Sequence, residues 1–356
     1  MKEFILAATA LSLVACTSGV SELPQDPRQV EIDAMAEIWL AEADVPSVAI
    51  AWIEQGEIAW TAVYGERAPD TAATSDTLYN IASMTKPVTA ETVLRLASDG
   101  RLSLDDRMAD WWTDPDIADD PRRLALTPQI ALRHQTGFPN WRDDRLTFNF
   151  EPGTDTAYSG EGYEYVARFA AARTGEPFEA LAQKVVFDPI GMSSASYVVR
   201  DGMEERAALP YGPEGVWGEP VLREEMNAAD DVVLTVSDYA AFMVSVMKGE
   251  GISGEIAANR FEFEGNVFAN GCPWERCPES AGFAMGWTVF RYANETVVMH
   301  GGGDWGERTL GFFVPERNIG AVIFTNGANG SQLIRDVAGV LYPGSDFLEF
   351  LAFQAR

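Results

Sequence analysis

The chain has 356 residues, of which 47% are hydrophobic and 22% charged, and this composition is ordinary for a globular protein with a sizeable core. Its net charge of −28, with acidic residues spread along the chain, argues against binding to nucleic acid or to anionic lipid headgroups, since both need a cationic surface. Neither of the two histidines lies in a zinc-binding spacing, and no phosphate-binding glycine loop or dinucleotide fingerprint is present, so the sequence predicts no metal and no cofactor.

The first sixteen residues are predicted to direct export. Lys2 is followed by an uncharged apolar run over residues 4–15, which is too short to span a bilayer and is typical of a signal-peptide core. The run ends in Leu-Val-Ala-Cys, which resembles the bacterial lipobox, so Cys16 is predicted to be lipidated. Ordinary secretion with cleavage near Ala15, or a buried helix, are the alternative interpretations.

This interpretation divides the chain into three parts. Residues 1–15 are expected to be a signal peptide, residues 16–30 a lipidated tether, and residues 31–356 a folded domain. The expected location is the bacterial cell envelope, as a lipoprotein facing the periplasm. Thr17 after the cysteine gives no inner-membrane retention signal, which favours the outer membrane. Contact with a membrane is expected only through the lipid.

The apolar pattern predicts strands near both ends of the folded region and helices between them. In chain order the predicted elements are a helix over 28–43, strands over 47–54 and 57–65, a mainly helical region over about 80–250, strands over 283–292, 295–300, 308–315 and 320–326, and a helix over 331–342. The predicted fold class is therefore α+β, with an antiparallel sheet flanked by helices and with the middle of the chain as a helical lobe against it.

Cys272 and Cys277 lie in a Gly/Pro-rich segment, GCPWERCP, that closes a short ring. In the oxidising compartment implied by export, they are predicted to form a local disulfide. A reactive thiol is the alternative, although no histidine lies nearby in the sequence.

Ser83 and Lys86 lie three residues apart in the apolar stretch IASMTKPVTA, in a chain with only four lysines. Residues i and i+3 of a helix share a face, and Pro87 is compatible with the first turn. A serine hydroxyl needs a base, and a lysine becomes one when burial and the positive end of a helix lower its pKa from about 10.4 to about 7. By itself, however, a Ser-x-x-Lys quartet often arises by chance.

The surrounding sequence resembles the serine β-lactamase-related superfamily, which includes class C β-lactamases, D,D-peptidases, D-aminopeptidases and esterases. Residues 78–108 resemble its active-serine segment over their whole length. The segments that resemble its later motifs follow in the family order, at residues 132–141, 150–181, 187–197 and 300–327. The resemblance spans about residues 31–340 and implies a β-lactamase/D,D-peptidase-like fold.

The resemblance also implies roles for individual residues. Ser83 matches the nucleophile, Lys86 its proton acceptor, and Tyr158 the tyrosine that passes a proton to the leaving group. His300 to Gly302 stand at the third motif, and Gly303 is expected to supply an oxyanion N–H together with Ser83. For Tyr158 the alternative is a core aromatic, and for the glycines a simple turn. His134 is interpreted as structural.

Two departures from the family pattern point to the substrate class. Gly160 stands where the family usually has Asn, and His300 stands where it usually has Lys. A histidine is mostly neutral at pH 7, so the cation that would hold the carboxylate of a β-lactam or peptide is missing. We therefore expect an esterase or amidase acting on small, uncharged acyl substrates. A D-amino-acid peptidase, a β-lactamase and a catalytically silent protein that binds cell-wall peptides are the alternatives. A Ser-His-Asp hydrolase with His300 or His134 near a serine is a further alternative, although no Gly-x-Ser-x-Gly motif is present.

Overall fold

The computed structural model describes residues 25–269 and 271–356. The predicted signal peptide and Cys16 therefore lie outside the described residues. The first helix begins at Pro27, before the boundary at residue 31 that we predicted for the folded domain, because Asp26 caps it and proline suits a first turn. Within the described ranges, no helix is both long and apolar enough to cross a membrane.

The helices and strands follow one another along the chain in this order. The first part of the chain contains α1 (Pro27–Ala43), β1 (Ser47–Glu54), β2 (Glu57–Ala68), β3 (Thr71–Ala72), β4 (Tyr79–Asn80) and α2 (Thr85–Ser98). The middle contains α3 (Pro128–Leu132), α4 (Gly160–Thr174), α5 (Phe178–Ala182), α6 (Asp188–Ile190), β5 (Val233–Leu234), α7 (Val236–Lys248) and α8 (Gly254–Asn259). The last part contains β6 (Ser280–Phe283), β7 (Thr288–Arg291), β8 (Thr296–Asp304), β9 (Glu307–Val314), β10 (Ile319–Thr325), α9 (Gly330–Leu341) and α10 (Phe347–Gln354).

The predicted α+β fold class is confirmed. Eight strands form one antiparallel sheet in the order β3-β2-β1-β10-β9-β8-β7-β6, so strands from both ends of the chain meet where β1 pairs with β10. A separate two-stranded sheet joins β4 to β5, which ties the segment before α2 to the far end of the middle region.

Strand β1 shows how the sheet separates two apolar layers. Ala49, Ala51 and Ile53 face the core of the middle region, whereas Val48 and Ile50 face the core formed with α1, α9 and α10. Successive side chains of a strand point to opposite faces, and both faces here are covered. The sequence of this strand is therefore a continuous apolar run and does not alternate between apolar and polar residues.

One predicted strand is wrong. The sequence predicts one continuous strand over residues 283–292, but these residues contain the end of β6, a tight turn and β7. In the turn, the Ala284 N–H donates to the Trp287 carbonyl. Gly286 has φ +89°, and a Cβ there would lie 2.4 Å from the Cβ of Ala90 on α2. The close approach of α2 to the sheet therefore requires a glycine turn at this point.

The sequence analysis missed α10, although its apolar FLEFLAFQ stretch was a usable signal. Phe347 and Leu351 of this helix are buried against the sheet. Cys272 and Cys277 form a disulfide, and Trp274 inside that loop packs on Phe350 at a ring-centroid distance of 5.5 Å. The disulfide loop thus lies against the C-terminal helix.

A buried ion pair fixes α2 to the segment after α8. Arg260 Nη1 lies 3.1 Å from Glu91 Oε1, and the two side chains are 4% and 1% exposed. We expect Arg260→Met to lower the free energy of unfolding by about 3–5 kcal/mol, because it leaves the Glu91 carboxylate buried without its partner. Urea denaturation checks this.

The exposed Arg291–Glu262 pair, with a distance of 2.7 Å, is the control for this measurement. Arg291→Met is expected to change the free energy of unfolding by less than about 1 kcal/mol. Equal losses in the two variants would contradict the prediction.

Candidate active site

Ser83 lies on a short 3₁₀ turn, Ala82–Met84, directly before α2. Ala82 has φ +46°, a backbone conformation that residues with a side chain rarely adopt. The Ala82 N–H donates to Asn80 Oδ1 at 3.0 Å, and Thr309 Oγ1 donates to the Ile81 carbonyl at 3.0 Å. Side chains from β4 and β9 therefore hold the turn, which leaves Ser83 half-buried with its hydroxyl facing a cavity.

Lys86 lies one turn further on, in the first turn of α2, as the i, i+3 spacing predicts. Its side chain is fully buried, and its Nζ lies 3.0 Å from Ser83 Oγ and 2.8 Å from the Ala229 carbonyl oxygen. Nζ is also 4.7 Å from the centroid of the Tyr158 ring. The amine is thus held between the serine hydroxyl and a backbone carbonyl that the sequence analysis did not identify.

Burial lowers the pKa of Lys86 to about 8. Removal from water disfavours the charged ammonium, and the negative charges of Asp230 and Glu164 oppose that effect. A lysine with this pKa is substantially neutral near pH 8, and a neutral amine 3.0 Å from a hydroxyl can accept its proton.

Tyr158 stands on the other side of the cavity and is half-buried. Burial raises the pKa of its hydroxyl above the ordinary value, and the Ser83 side chain opposes the rise. The tyrosine is therefore a neutral hydroxyl at rest rather than a phenolate.

His134 positions this tyrosine. Its buried ring stacks on the Tyr158 ring at a centroid distance of 4.5 Å, and its Nδ1 accepts the Ser159 N–H at 3.0 Å. Burial and the charge of Lys86 hold the pKa of His134 well below its usual range. The histidine is thus neutral, and these contacts agree with its structural interpretation.

His300 lies on β8 beside the cavity, and burial lowers its pKa to about 3, with a further contribution from the charge of Lys86. Its Nδ1 is 2.7 Å from the Gly301 carbonyl oxygen. The ring is therefore uncharged near neutral pH and cannot replace the cation that a lysine would supply at this position.

Strand β8 has a free edge next to Ser83. β7 pairs with residues 296–299 of β8, whereas β9 pairs as far as Asp304, so the backbone of residues 300–304 has a neighbouring strand on one side only. N–H groups alternate in direction along a strand, so Gly301 and Gly303 direct theirs to the same edge. The glycines of the third motif thus lie in a strand and not in a simple turn, which was the alternative interpretation.

Gly302 has no room for a side chain. A Cβ there would lie 2.3 Å from the Ile81 carbonyl oxygen and 2.3 Å from Thr309 Oγ1. Gly302→Ala is therefore expected to displace the turn that carries Ser83 and to lower kcat/KM for an ester substrate by at least about tenfold.

Gly339→Ala on α9 is the matched control, because a Cβ there meets no atom within 4 Å. That change is expected to leave activity intact and to stabilise the helix by about 0.5–1 kcal/mol. Steady-state kinetics and thermal unfolding of both variants check the prediction, and an unaltered kcat/KM in Gly302→Ala would contradict it.

Gly160, the departure at the second motif, is explained by Trp141. A Cβ at Gly160 would lie 2.7 to 2.9 Å from three atoms of the Trp141 ring. Lys86 Nζ lies 5.9 Å from the centroid of that ring. The indole therefore lies close to the space that an asparagine side chain at Gly160 would enter. The sequence analysis did not single out Trp141, although it lies in a segment that carries the family resemblance.

Most of the predicted catalytic and oxyanion residues line a cavity of about 550 Å³, whereas Lys86 lies behind Ser83 and does not line it. Ser83, Tyr158, His300 and residues 301–303 line one part of it. Apolar side chains from β8, β9, α9 and α10 line the other part, namely Met299, Leu310, Ile334, Phe350 and Leu351. The cavity thus extends around the free edge of β8 from the serine to the C-terminal helix.

The chain is similar in sequence to known proteins. The Beta-lactamase family model matches residues 28–340. The chain is 23% identical over 340 residues to the unguisins hydrolase ungD of Aspergillus violaceofuscus, covering 81% of this chain and 59% of that protein. It is 28% identical over 214 residues to esterase EstB of Burkholderia gladioli, covering 51% of this chain and 54% of that protein. It thus spans less than two thirds of both relatives.

A solved structure shows the same fold. The octameric penicillin-binding protein homologue from Pyrococcus abyssi superposes with a TM-score of 0.74 at 21% identity. The superposition covers 88% of this chain and 77% of the other.

Proposed function

This chain belongs to the Beta-lactamase family, and we propose that it is a serine hydrolase that cleaves a carboxylic ester or amide through an acyl-enzyme intermediate on Ser83. The observation that carries the proposal is the buried Lys86 amine, 3.0 Å from the Ser83 hydroxyl, with a pKa lowered to about 8. A base in this position is what a serine needs to become a nucleophile.

The proposed reaction has two halves. In the first, Ser83 Oγ attacks the acyl carbon while Lys86 accepts the hydroxyl proton, and the N–H groups of Ser83 and Gly303 stabilise the oxyanion. Collapse of the tetrahedral intermediate breaks the bond to the leaving group, which receives the proton of Lys86 through Tyr158. In the second half, water attacks the acyl carbon, the acid is released, and a proton of that water restores the Ser83 hydroxyl.

Two observations favour an ester over a β-lactam or a peptide carboxylate. His300 is neutral, so the third motif offers no constant positive charge, and Trp141 lies where an asparagine side chain at Gly160 would be. The D-amino-acid peptidase, the β-lactamase and the catalytically silent binding protein remain the alternatives. The experiment below distinguishes the β-lactamase and the binding protein from the esterase.

The test is covalent labelling of the expressed residues 17–356 with a serine-reactive phosphonate, followed by mass spectrometry and by assays on p-nitrophenyl acetate and nitrocefin. We expect the adduct on Ser83, hydrolysis of the ester faster than that of the β-lactam, and loss of both labelling and turnover in Ser83→Ala. Absence of labelling and of turnover on both substrates would contradict the proposal and favour a binding protein. An unaltered rate in Lys86→Met would also contradict it, because Lys86 would then not be the base.

Export and lipid anchoring are a second, separate part of the proposal, supported by the apolar run and Cys16 in the sequence. Expression of the full chain in a bacterium with labelled palmitate should give a membrane-bound, labelled protein. Cys16→Ser should abolish the label and release the protein from the membrane. Label retained in Cys16→Ser would contradict this proposal without affecting the hydrolase.

A further inference from the structure

The backbone carbonyl that binds Lys86 is the starting point. It belongs to Ala229, a buried residue in the loop before β5, and its oxygen lies 2.8 Å from Lys86 Nζ. A neutral amine has a single lone pair besides its N–H groups. One N–H donates to the Ala229 carbonyl, so the position of that carbonyl decides whether the lone pair points to Ser83 Oγ, 3.0 Å away.

Glu164 holds the residue that precedes this carbonyl. It lies on α4, its side chain is 14% exposed, and its Oε1 accepts the Ala228 N–H. Its other carboxylate oxygen, Oε2, pairs with Arg168 at 3.3 Å. Ala228 is fully buried, so water could not replace the carboxylate as the acceptor of this N–H.

The carbonyl of Ala228 is held from the opposite side, by α2. Thr89 Oγ1 donates to it at 2.6 Å, and because a threonine has one hydroxyl hydrogen, the Tyr197 hydroxyl donates to Thr89 at 2.8 Å. The next N–H, that of Ala229, donates to Asn227 Oδ1 at 2.9 Å. Two helices therefore fix the peptide groups on both sides of Ala228, and the carbonyl that follows them has a defined direction.

Glu164 also acts on the amine through its charge. Burial raises the pKa of Glu164, while the Ala228 N–H and Arg168 oppose the rise and favour the ionised carboxylate. Burial lowers the pKa of Lys86, and the charges of Asp230 and Glu164 oppose that effect. The other titratable groups nearby are Tyr158, Tyr163, His134 and His300 around the amine, and Arg142, Glu161 and Tyr197 around the carboxylate.

We propose that Glu164 is a positioning residue for the general base. Through the Ala228 N–H it directs the Ala229 carbonyl to Lys86, and this contact turns the lone pair of the amine to the Ser83 hydroxyl. The inference rests on the proposed hydrolase and adds to it a carboxylate that lies outside the cavity and acts through the backbone of another segment.

Two substitutions separate the hydrogen-bond acceptor from the charge. Glu164→Gln keeps an oxygen for the Ala228 N–H, so kcat/KM for p-nitrophenyl acetate on its high-pH plateau should stay near the original value. Glu164→Met has nearly the same shape without an acceptor and leaves that N–H unpaired, so the plateau should fall at least about tenfold. Equal plateau values in the two variants would overturn the inference, because the acceptor would then not matter.

Arg260→Met is the control for lost stability. That variant is expected to destabilise the fold through Glu91, and it should keep the plateau of kcat/KM when assayed well below its unfolding temperature. A fall as large as that in Glu164→Met would overturn the inference, because the effect would then be one of stability and not of position.

Titration of Lys86 tests the inference without turnover. The chain has only four lysines, so protein labelled with ¹³C at lysine Cε gives few NMR signals, and Lys86→Met assigns the relevant one. In Glu164→Gln the pKa of Lys86 should move below its original value of about 8, because a charge that raises it is gone. Glu37→Gln, at an exposed position on α1, is the control and should leave that pKa unchanged.

The titration also separates this inference from the proposed function. An unmoved Lys86 pKa in Glu164→Gln would overturn the inference and leave the hydrolase intact, because Glu164 would then lie too far from the amine to act on it. A moved pKa in a protein that hydrolyses none of the esters would support the placement of Glu164 and contradict the hydrolase.

Discussion

Replacing Lys86 with arginine is expected to lower kcat/KM for p-nitrophenyl acetate by about 10²–10⁴-fold, the usual contribution of a general base. Arginine stays protonated at any accessible pH, so it cannot accept the Ser83 proton even if its guanidinium occupies the same space. It is also larger than the fully buried lysine that it replaces. Steady-state kinetics on the purified variant measures the effect.

Two further variants show whether a loss of activity comes from loss of the base. Lys86→Met has nearly the same shape without the amine, so it separates loss of the base from misfolding, and circular dichroism with thermal unfolding confirms that each variant is folded. Lys184→Arg, at a position where the lysine side chain is 63% exposed, is the matched control and should retain full activity. A folded Lys86→Met enzyme with more than about a tenth of the original kcat/KM would contradict the assignment of Lys86 as the base.

The pH profile should report the titration of Lys86. Because the neutral amine is the active form and its pKa is lowered to about 8, kcat/KM for a neutral ester should rise with pH and level off above that value. Well below pH 8 the rate should fall about tenfold for each pH unit. This rise of kcat/KM with pH is the ascending limb of the profile. His134 and His300, whose pKa values are depressed by burial, should not contribute to this limb.

Asp230→Asn gives a directional test of the same profile. The negative charge of Asp230 raises the pKa of Lys86, so removing that charge should lower the pKa of Lys86 and move the limb towards lower pH. His300→Ala should leave the position of the limb near its original pH. A limb that moves in His300→Ala but not in Asp230→Asn would indicate that a histidine is the base.

The regular elements were largely predictable because their signals are local. The predicted helix over 28–43 and the strand over 47–54 match α1 and β1 closely, since helical spacing and β-branched runs depend only on neighbouring residues. The broken strand around Gly286 was not predictable, because its cause is the approach of Ala90 from α2. Gly286 contacts that residue only in the folded chain.

The sequence by itself predicted the fold class and the proximity of Ser83 and Lys86, because residues three apart in a helix share a face, whereas their roles came from the resemblance to a family. It also placed Tyr158 and the glycines of β8 in one site through their resemblance to a family. Only the tertiary structure decided the chemistry around them. The Ala229 carbonyl on Lys86 and the neutral state of His300 depend on burial and on contacts between distant segments. Desolvation and such contacts set pKa values, and they arise only when the chain is folded.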